Sequence, residues 1–265
     1  MPPPELQLEE RLKLLEERFE ASAREVRDLR GRLAETAARE LRREIREVRG
    51  EWDGVHYKWW VGVVLGAIVL LLLSYTGYTK LGWVADQRAL PIGDDWLLRR
   101  LPLVNTLPVL SWGWFALHLY AGGAAAAYQP KRIPFLLFTL SLYLGVRTAF
   151  VFLSPIGPPA GMVDMRLHDF LFSRILGTWT FTNEFIFSGH TSIPFLFFLF
   201  FRTPGLKRLM LAGSAVMGVC VLLSRNHYTV DVLAAPLVTY SIYKASEALY
   251  AGWVKPLFQA VRDAA

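Results

Sequence analysis

The chain has very little cysteine. Cys220 is the only cysteine in 265 residues, and it lies inside an apolar run. A single cysteine excludes an intrachain disulfide framework, and a buried free thiol is the ordinary state of cysteine in such a run. The cysteine content therefore does not indicate a cellular compartment.

Charge is missing from one long stretch. Residues 59–79 contain no charged side chain, although 20% of all residues are charged and the net charge is +6. About 20 uncharged apolar residues suffice to cross a hydrocarbon layer of about 30 Å, which excludes a soluble globule with a single core. Much of the basic excess lies beside apolar segments, where Lys and Arg orient membrane proteins. We therefore expect a membrane protein that does not bind nucleic acid.

The N-terminal segment has the apolar spacing of a coiled coil. The residues at this alternating four- and three-residue spacing are Leu8, Leu12, Leu15, Phe19, Val26, Leu29 and Leu33. After Leu33 the apolar residues step by four, which locally unwinds a supercoil. We predict a coiled-coil stalk over residues 1–54 that joins copies of the chain into a homo-oligomer. The alternative is a single solvated helix that lies on the membrane or on the protein.

Six apolar segments follow, near residues 59–79, 103–129, 133–154, 185–201, 208–224 and 228–250. They predict an all-α fold, with a six-span transmembrane bundle over residues 55–254 and a tail at 255–265. Six crossings return the C-terminus to the side of the N-terminus. Basic residues occur in loops on both sides, but the basic end of the stalk next to the first span favours cytoplasmic termini.

Two short motifs place ionisable residues at the membrane boundary. Ser-Gly-His at 188–190 opens the fourth segment, and His-Tyr-Thr-Val-Asp at 227–231 opens the sixth. Span four runs inward and span five returns, so both motifs lie on one side, and Arg147 approaches that side near the end of span three. Charged residues inside a membrane are costly unless they are paired or face a polar cavity. Their convergence predicts a functional site.

The residue types and spacing favour phosphoryl transfer through a phosphoenzyme. His227 and Asp231 are i,i+4 neighbours on one helical face, so Asp231 could hold one ring nitrogen and leave the other as a nucleophile. His190 would act as general acid for the leaving alkoxide. Arg147 and Arg225 are candidates to neutralise the phosphate oxygens.

The Ser188-Gly189 turn adds a second feature that suits phosphate. It leads into a helix N-terminus, where backbone amides and the helix dipole favour an anion. A metal site is the alternative for two His and one Asp, but the chain lacks a close ligand motif such as H-E-x-x-H. We predict neither a metal nor a cofactor.

Both motifs resemble those of a known family. The runs 185–191 (Phe-Ile-Phe-Ser-Gly-His-Thr) and 227–232 (His-Tyr-Thr-Val-Asp-Val) are similar to the two catalytic motifs of the sphingomyelin synthase family, a branch of the PAP2 lipid phosphate phosphatase superfamily. Tyr143 and Arg147 lie in a stretch that resembles its third-span motif. The resemblance implies six spans and no metal. It also implies a catalytic triad that faces the exoplasmic or lumenal side, formed by His190, His227 and Asp231.

By this resemblance we expect a phosphotransferase that moves a phosphoalcohol headgroup from a glycerophospholipid to a lipid alcohol such as ceramide. With water as acceptor, the same residues would make a lipid phosphatase or a phospholipase C, and the sequence leaves the acceptor open. A non-enzymatic membrane scaffold organised by the stalk is the rival from another class. Sphingomyelin synthases tend to carry Asp where Glu184 stands, whereas relatives that make ceramide phosphoethanolamine favour Glu. Phosphoethanolamine is therefore the headgroup that the resemblance implies.

Overall fold

The computed structural model describes residues 4–53, 55, 57–88, 92–153, 156–164, 185–254 and 256. These residues form helices, turns and irregular segments, with no strand among them, which confirms the all-α prediction. The chain divides into two compact units, residues 1–53 and residues 54–265.

The first unit contains one long helix, α1 (Pro4–Trp52). Its sequence is rich in Glu, Arg, Leu and Ala, which are strong helix formers, and Arg43 pairs with Glu47 at 2.8 Å one turn later. Apolar side chains of the predicted seam are exposed, among them Phe19, Val26, Leu29 and Leu33. The predicted helix is confirmed, and its pairing with a second copy stays a prediction.

The second unit contains the apolar helices. They are α2 (Tyr57–Asp86), α3 (Trp114–Tyr128), α4 (Ile133–Leu153), α5 (Gly189–Phe200), α6 (Pro204–Leu223) and α7 (Thr229–Leu249). A π-helical turn, Val109–Gly113, leads into α3, and a 3₁₀ turn, Pro130–Arg132, leads into α4. A second π-helical turn, Tyr250–Val254, follows α7. Each predicted apolar segment therefore contains a helix.

Three helical segments of the described chain are long and apolar enough to cross a membrane, namely α2, Pro130–Leu153 and α6. They indicate an integral membrane protein. The apolar α5 has 12 residues, about 18 Å at 1.5 Å per residue, against about 30 Å of hydrocarbon. Six full crossings therefore stay a prediction.

The helices of the second unit pack around a shared apolar core. α4 packs against α2 and α7, and α5 packs against α6 and α7. The core includes the fully buried side chains of Tyr143, Phe187, Leu196, Phe200 and Met210. Because aromatic rings fill much of this space, α4 and α5 are held in fixed positions beside α7.

The C-terminal end of α5 is fixed by Arg132. Its guanidinium donates to the carbonyl of Phe200 and to the hydroxyl of Tyr243, the latter at 2.9 Å. This network ties α5 to α7 at one end of the short helix. The N-terminal end of α5 carries the Ser-Gly-His motif.

Candidate active site

The starts of α5 and α7 meet through the main chain. The amide of Ser188 donates to the carbonyl of Asp231 at 3.1 Å, and both residues are buried. Ser188 is the N-cap residue of α5, and Asp231 lies in the first turn of α7. The structure therefore brings the two motifs together at one place.

The turn into α5 is built by Ser188. Its backbone is extended, and its side-chain oxygen accepts from the amide of Thr191 at 3.3 Å, as an N-cap serine commonly does. The amide of Ser188 is occupied by Asp231, so it is not available to an anion. A phosphate at this helix end would meet the next two amides, those of Gly189 and His190.

His227 and Asp231 form a buried pair. The Nδ1–H of His227 donates to Oδ2 of Asp231 at 3.3 Å, and the two residues are 4% and 2% exposed. The same oxygen accepts from the amide of Tyr228 at 3.0 Å. Burial lowers the pKa of His227, which lies in the turn before α7, and the hydrogen bond to Asp231 opposes that shift. The ring is therefore neutral near pH 7, with a lone pair on Nε2.

His190 contacts the π-helical turn that precedes α3. Its Nε2 lies 3.1 Å from the carbonyl oxygen of Leu110, and its ring packs against Trp114 with centroids 5.8 Å apart. A carbonyl only accepts, so Nε2 carries hydrogen and Nδ1 is left to exchange a proton. π-helical turns are frequent at functional sites, and this one directs a backbone oxygen at His190.

α4 places two of the predicted headgroup residues beside the turn into α5. Arg147 is buried and donates to the hydroxyl of Tyr78 at 3.0 Å and to the carbonyl of Phe187. Its guanidinium lies beside Gly189, where a Cβ atom would be 3.7 Å from Cζ. Tyr143 packs edge-on against Phe187 at 5.7 Å, and its buried hydroxyl has no hydrogen-bond partner among the described residues.

The two remaining predicted residues have different outcomes. Arg225 has a left-handed backbone, with φ 55, and its Nη1 donates to the carbonyl of Ala160 at 3.0 Å. It therefore ties the 156–164 segment to the turn before α7, and phosphate binding by Arg225 stays a prediction. Glu184 lies outside the described residues.

The sequence analysis missed Asp95. Its Oδ2 accepts from the amide of Thr229 at 2.6 Å, and its Oδ1 accepts from the Thr229 hydroxyl at 2.9 Å. Oδ1 also accepts from the amides of Leu97 and Leu98, each at 3.0 Å. Burial alone raises the pKa of Asp95, but these hydrogen bonds outweigh it and bring the pKa below its ordinary value of 3.8. The carboxylate is charged at neutral pH, and an Asp in a polar loop gives no sequence signal of this contact.

Tyr228 was missed as well. Its hydroxyl accepts from the amide of Gly93 at 2.8 Å and donates to the carbonyl of Gly157 at 2.9 Å. A Cβ atom at Gly93 would lie 3.1 Å from the Tyr228 ring, so a side chain there would press on the ring. The turn before α7 is thus attached to two loops through one phenol.

An open groove of about 540 Å³ lies beside this turn. Its lining includes Trp96 and Ile156 from the loops and Val230 and Leu233 from α7. Among the described residues, no group of three or more His, Cys, Asp or Glu side chains comes together as a set of metal ligands.

Comparison with known proteins identifies the segment that carries both motifs. No curated protein matches the chain closely enough to be named as a relative. Residues 183–248, about a quarter of the chain, match the family described as PAP2 superfamily C-terminal. The match includes the turn at 188–190 and the turn at 227–231. It supports the PAP2 superfamily, and with it chemistry of the lipid phosphatase and phosphotransferase type.

Proposed function

We propose that this chain is an integral-membrane phosphotransferase that moves the phosphoalcohol headgroup of a glycerophospholipid to a lipid alcohol such as ceramide and releases diacylglycerol. The observation that carries the proposal is the buried His227–Asp231 pair, which a main-chain bond from Ser188 joins to the turn that holds His190. The PAP2 superfamily match covers these same residues and supports chemistry at a lipid phosphate.

In the first step Nε2 of His227 attacks the donor phosphorus. A P–N bond forms while the bond from phosphorus to the diacylglycerol oxygen breaks. His190 enters this step as the imidazolium, which the anionic donor phosphate favours, and gives its Nδ1 proton to that oxygen while Nε2 keeps its hydrogen. Asp231 stabilises the positive charge that develops on the His227 ring. Arg147, beside Gly189, offers positive charge to the non-bridging oxygens.

In the second step the acceptor hydroxyl gives its proton to Nδ1 of His190 and attacks phosphorus. The P–N bond breaks, so His227 is regenerated and the headgroup is now on the acceptor. With water as acceptor, the product is the free phosphoalcohol and the enzyme is a phospholipase C. A lipid acceptor requires that the bound lipids keep water away from the phosphohistidine.

Phosphoethanolamine is the headgroup that Glu184 favours. Glu184 precedes His190 by six residues, and an ammonium group donates hydrogen bonds to a carboxylate, whereas a trimethylammonium group has none to donate. Glu has one methylene more than Asp, so its carboxylate reaches further from the main chain. Glu184→Asp should therefore raise the use of choline donors relative to ethanolamine donors, and an unchanged ratio would contradict the assignment.

The central experiment follows the labelled headgroup. The purified protein in vesicles receives labelled phosphatidylethanolamine or phosphatidylcholine, with and without ceramide. A new phosphosphingolipid that depends on ceramide is expected. A water-soluble headgroup in both conditions would instead mean that water is the acceptor, and absence of turnover would favour the scaffold function.

Substitution of the triad tests the chemistry itself. His190→Ala, His227→Ala and Asp231→Asn should each lower turnover by about a thousandfold or more, because the three groups act as one unit. Acid-labile phosphate should be trapped on the wild-type protein and be missing from the His227→Ala variant. EDTA should leave the rate unchanged. Full activity of His227→Ala, or loss of activity in EDTA, would defeat the mechanism.

A further inference from the structure

Asp95 joins a distant loop to the turn that carries the triad. Thr229 lies two residues from His227 and two from Asp231, and Asp95 accepts both its amide and its hydroxyl. The same carboxylate accepts from the amides of Leu97 and Leu98. One side chain therefore holds the loop in shape and the first residue of α7 in place.

Two carboxylates accept hydrogen bonds from different donors at the start of α7. Asp231 accepts from the Tyr228 amide and from His227 Nδ1, and Asp95 accepts from Thr229. The first amides of a helix have no partner within the helix, so each seeks an external acceptor. Without Asp95, the Thr229 amide would be an unpaired donor next to Asp231.

We propose that Asp95 is a positioning residue that keeps Asp231 available to His227 by occupying the neighbouring donors of Thr229. This inference rests on the proposed function for its kinetic consequence, but not for its structural one. Asp95 touches neither of the two histidines in the structure, and it acts through the helix start. Its negative charge also suits the positive end of the α7 dipole.

The chain supplies a matched control at the next residue. Asp94 is on the same loop, and its carboxylate is 74% exposed and pairs with Arg99 at 3.2 Å. Asp94→Asn removes the same charge from the same loop without touching α7. Any difference between the two variants therefore reports the hydrogen bonds of Asp95, to Thr229 and within the loop, and not the loop charge.

The kinetic test compares the two variants on the lipid donor that the wild type uses. Asp95→Asn turns one oxygen into an NH₂ group and leaves Thr229 without its full set of acceptors, so kcat should fall by about tenfold to a hundredfold. KM for the donor should stay within about twofold, because both oxygens of the Asp95 carboxylate are already occupied by Thr229, Leu97 and Leu98. Asp94→Asn should behave like the wild type. An unchanged kcat in Asp95→Asn, or an equal fall in both variants, would overturn the proposal.

A second measurement does not depend on activity. Amide hydrogen exchange of the purified protein should be faster over residues 227–231 in Asp95→Asn than in the wild type, and unchanged in Asp94→Asn. Thr229→Val should give a smaller change in the same direction, because it removes the hydroxyl bond to Asp95 and keeps the amide bond. Combining it with Asp95→Asn should add less than the sum of the two effects, because the two variants share the hydroxyl bond. Wild-type exchange rates in Asp95→Asn would reject the inference even for an active enzyme. An inactive wild type with accelerated exchange in Asp95→Asn would reject the proposed function and keep the positioning role.

Discussion

The hydroxyl of Tyr143 lies in the core of the second unit, and no described residue forms a hydrogen bond with it. A buried hydroxyl without a partner costs about 1–3 kcal/mol, so a headgroup oxygen at this position would restore a stabilising contact. We expect Tyr143→Phe to raise the donor KM by about tenfold and to leave the thermal stability equal or higher. KM and the unfolding temperature are measured in the same detergent.

The control for this prediction is Tyr120→Phe on α3, where the side chain is 52% exposed. Its KM and stability should match those of the wild type. If Tyr143→Phe also kept the wild-type KM while gaining stability, Tyr143 would be a packing residue that merely tolerates an unpaired hydroxyl.

The sequence identifies most directly those site residues that are neighbours on one helix. His227 and Asp231 are four residues apart, so the start of one helix is enough to bring them together. The contacts of Asp95 and Leu110 could not be found in this way. Asp95 is 134 residues from Thr229 in the sequence, and Leu110 is 80 residues from His190. Such distant contacts follow no sequence spacing. The Leu110 carbonyl is a backbone group that every residue has, so the residue type does not indicate its role.

At the scale of the elements, Gly218 allows α6 to approach α7 closely. A Cβ atom there would lie 3.1 Å from a methyl carbon of Val232 and 3.4 Å from the hydroxyl oxygen of Thr191. Gly218→Ala should destabilise the fold by about 1–3 kcal/mol, because Val232 must move. Turnover should fall too, since Val232 follows Asp231 in the first turn of α7. Chemical denaturation and the headgroup assay measure the two effects.

Gly122 in α3 is the matched position, since nothing lies within 4 Å of a Cβ atom placed there. Gly122→Ala should keep full activity and stabilise the helix by up to about 1 kcal/mol. If the two alanine variants had the same free energy of unfolding and the same turnover, the close approach at Gly218 would not contribute to stability.

The sequence predicted the identity of the apolar helices better than their ends. The segment near 103–129 becomes helical only at Leu107, because Asn105 accepts from the Leu107 amide and the Thr106 hydroxyl donates to the distant Cys220 carbonyl. α5 begins late because Ser188 is extended as its N-cap. Its end at Phe200 precedes the Thr203-Pro204 step, where the residue before proline disfavours helix. Apolar composition does not encode these polar and proline boundaries.

At the scale of the whole molecule, α1 carries exposed apolar side chains at the predicted coiled-coil spacing. Leu29 and Leu33 are 51% and 68% exposed in the single chain, which a second copy would cover. Leu29→Asp together with Leu33→Asp should lower the oligomeric mass measured in detergent. Specific activity should stay near that of the wild type, because the hydrogen bonds at the candidate site come from residues of the second unit.

Arg27→Asp is the control for the charge introduced, since Arg27 lies within a turn of Leu29 but at an outer position of the predicted heptad. It should leave the mass unchanged. An unaltered mass in the double Leu variant would mean that the spans associate by themselves or that α1 does not pair.

The long separation between Asp95 and its partner has a consequence during biosynthesis. Asp95 is synthesised 134 residues before Thr229, and Gly93 is synthesised 135 residues before Tyr228. At a synthesis rate of roughly 5–20 residues per second, the loop that contains Asp95 is made about 7–27 s before Thr229. During that interval the chain lacks two residues of the predicted triad, because His227 and Asp231 have not yet been made. If the proposed phosphotransfer is the activity of this chain, it cannot begin before His227 and Asp231 have been made.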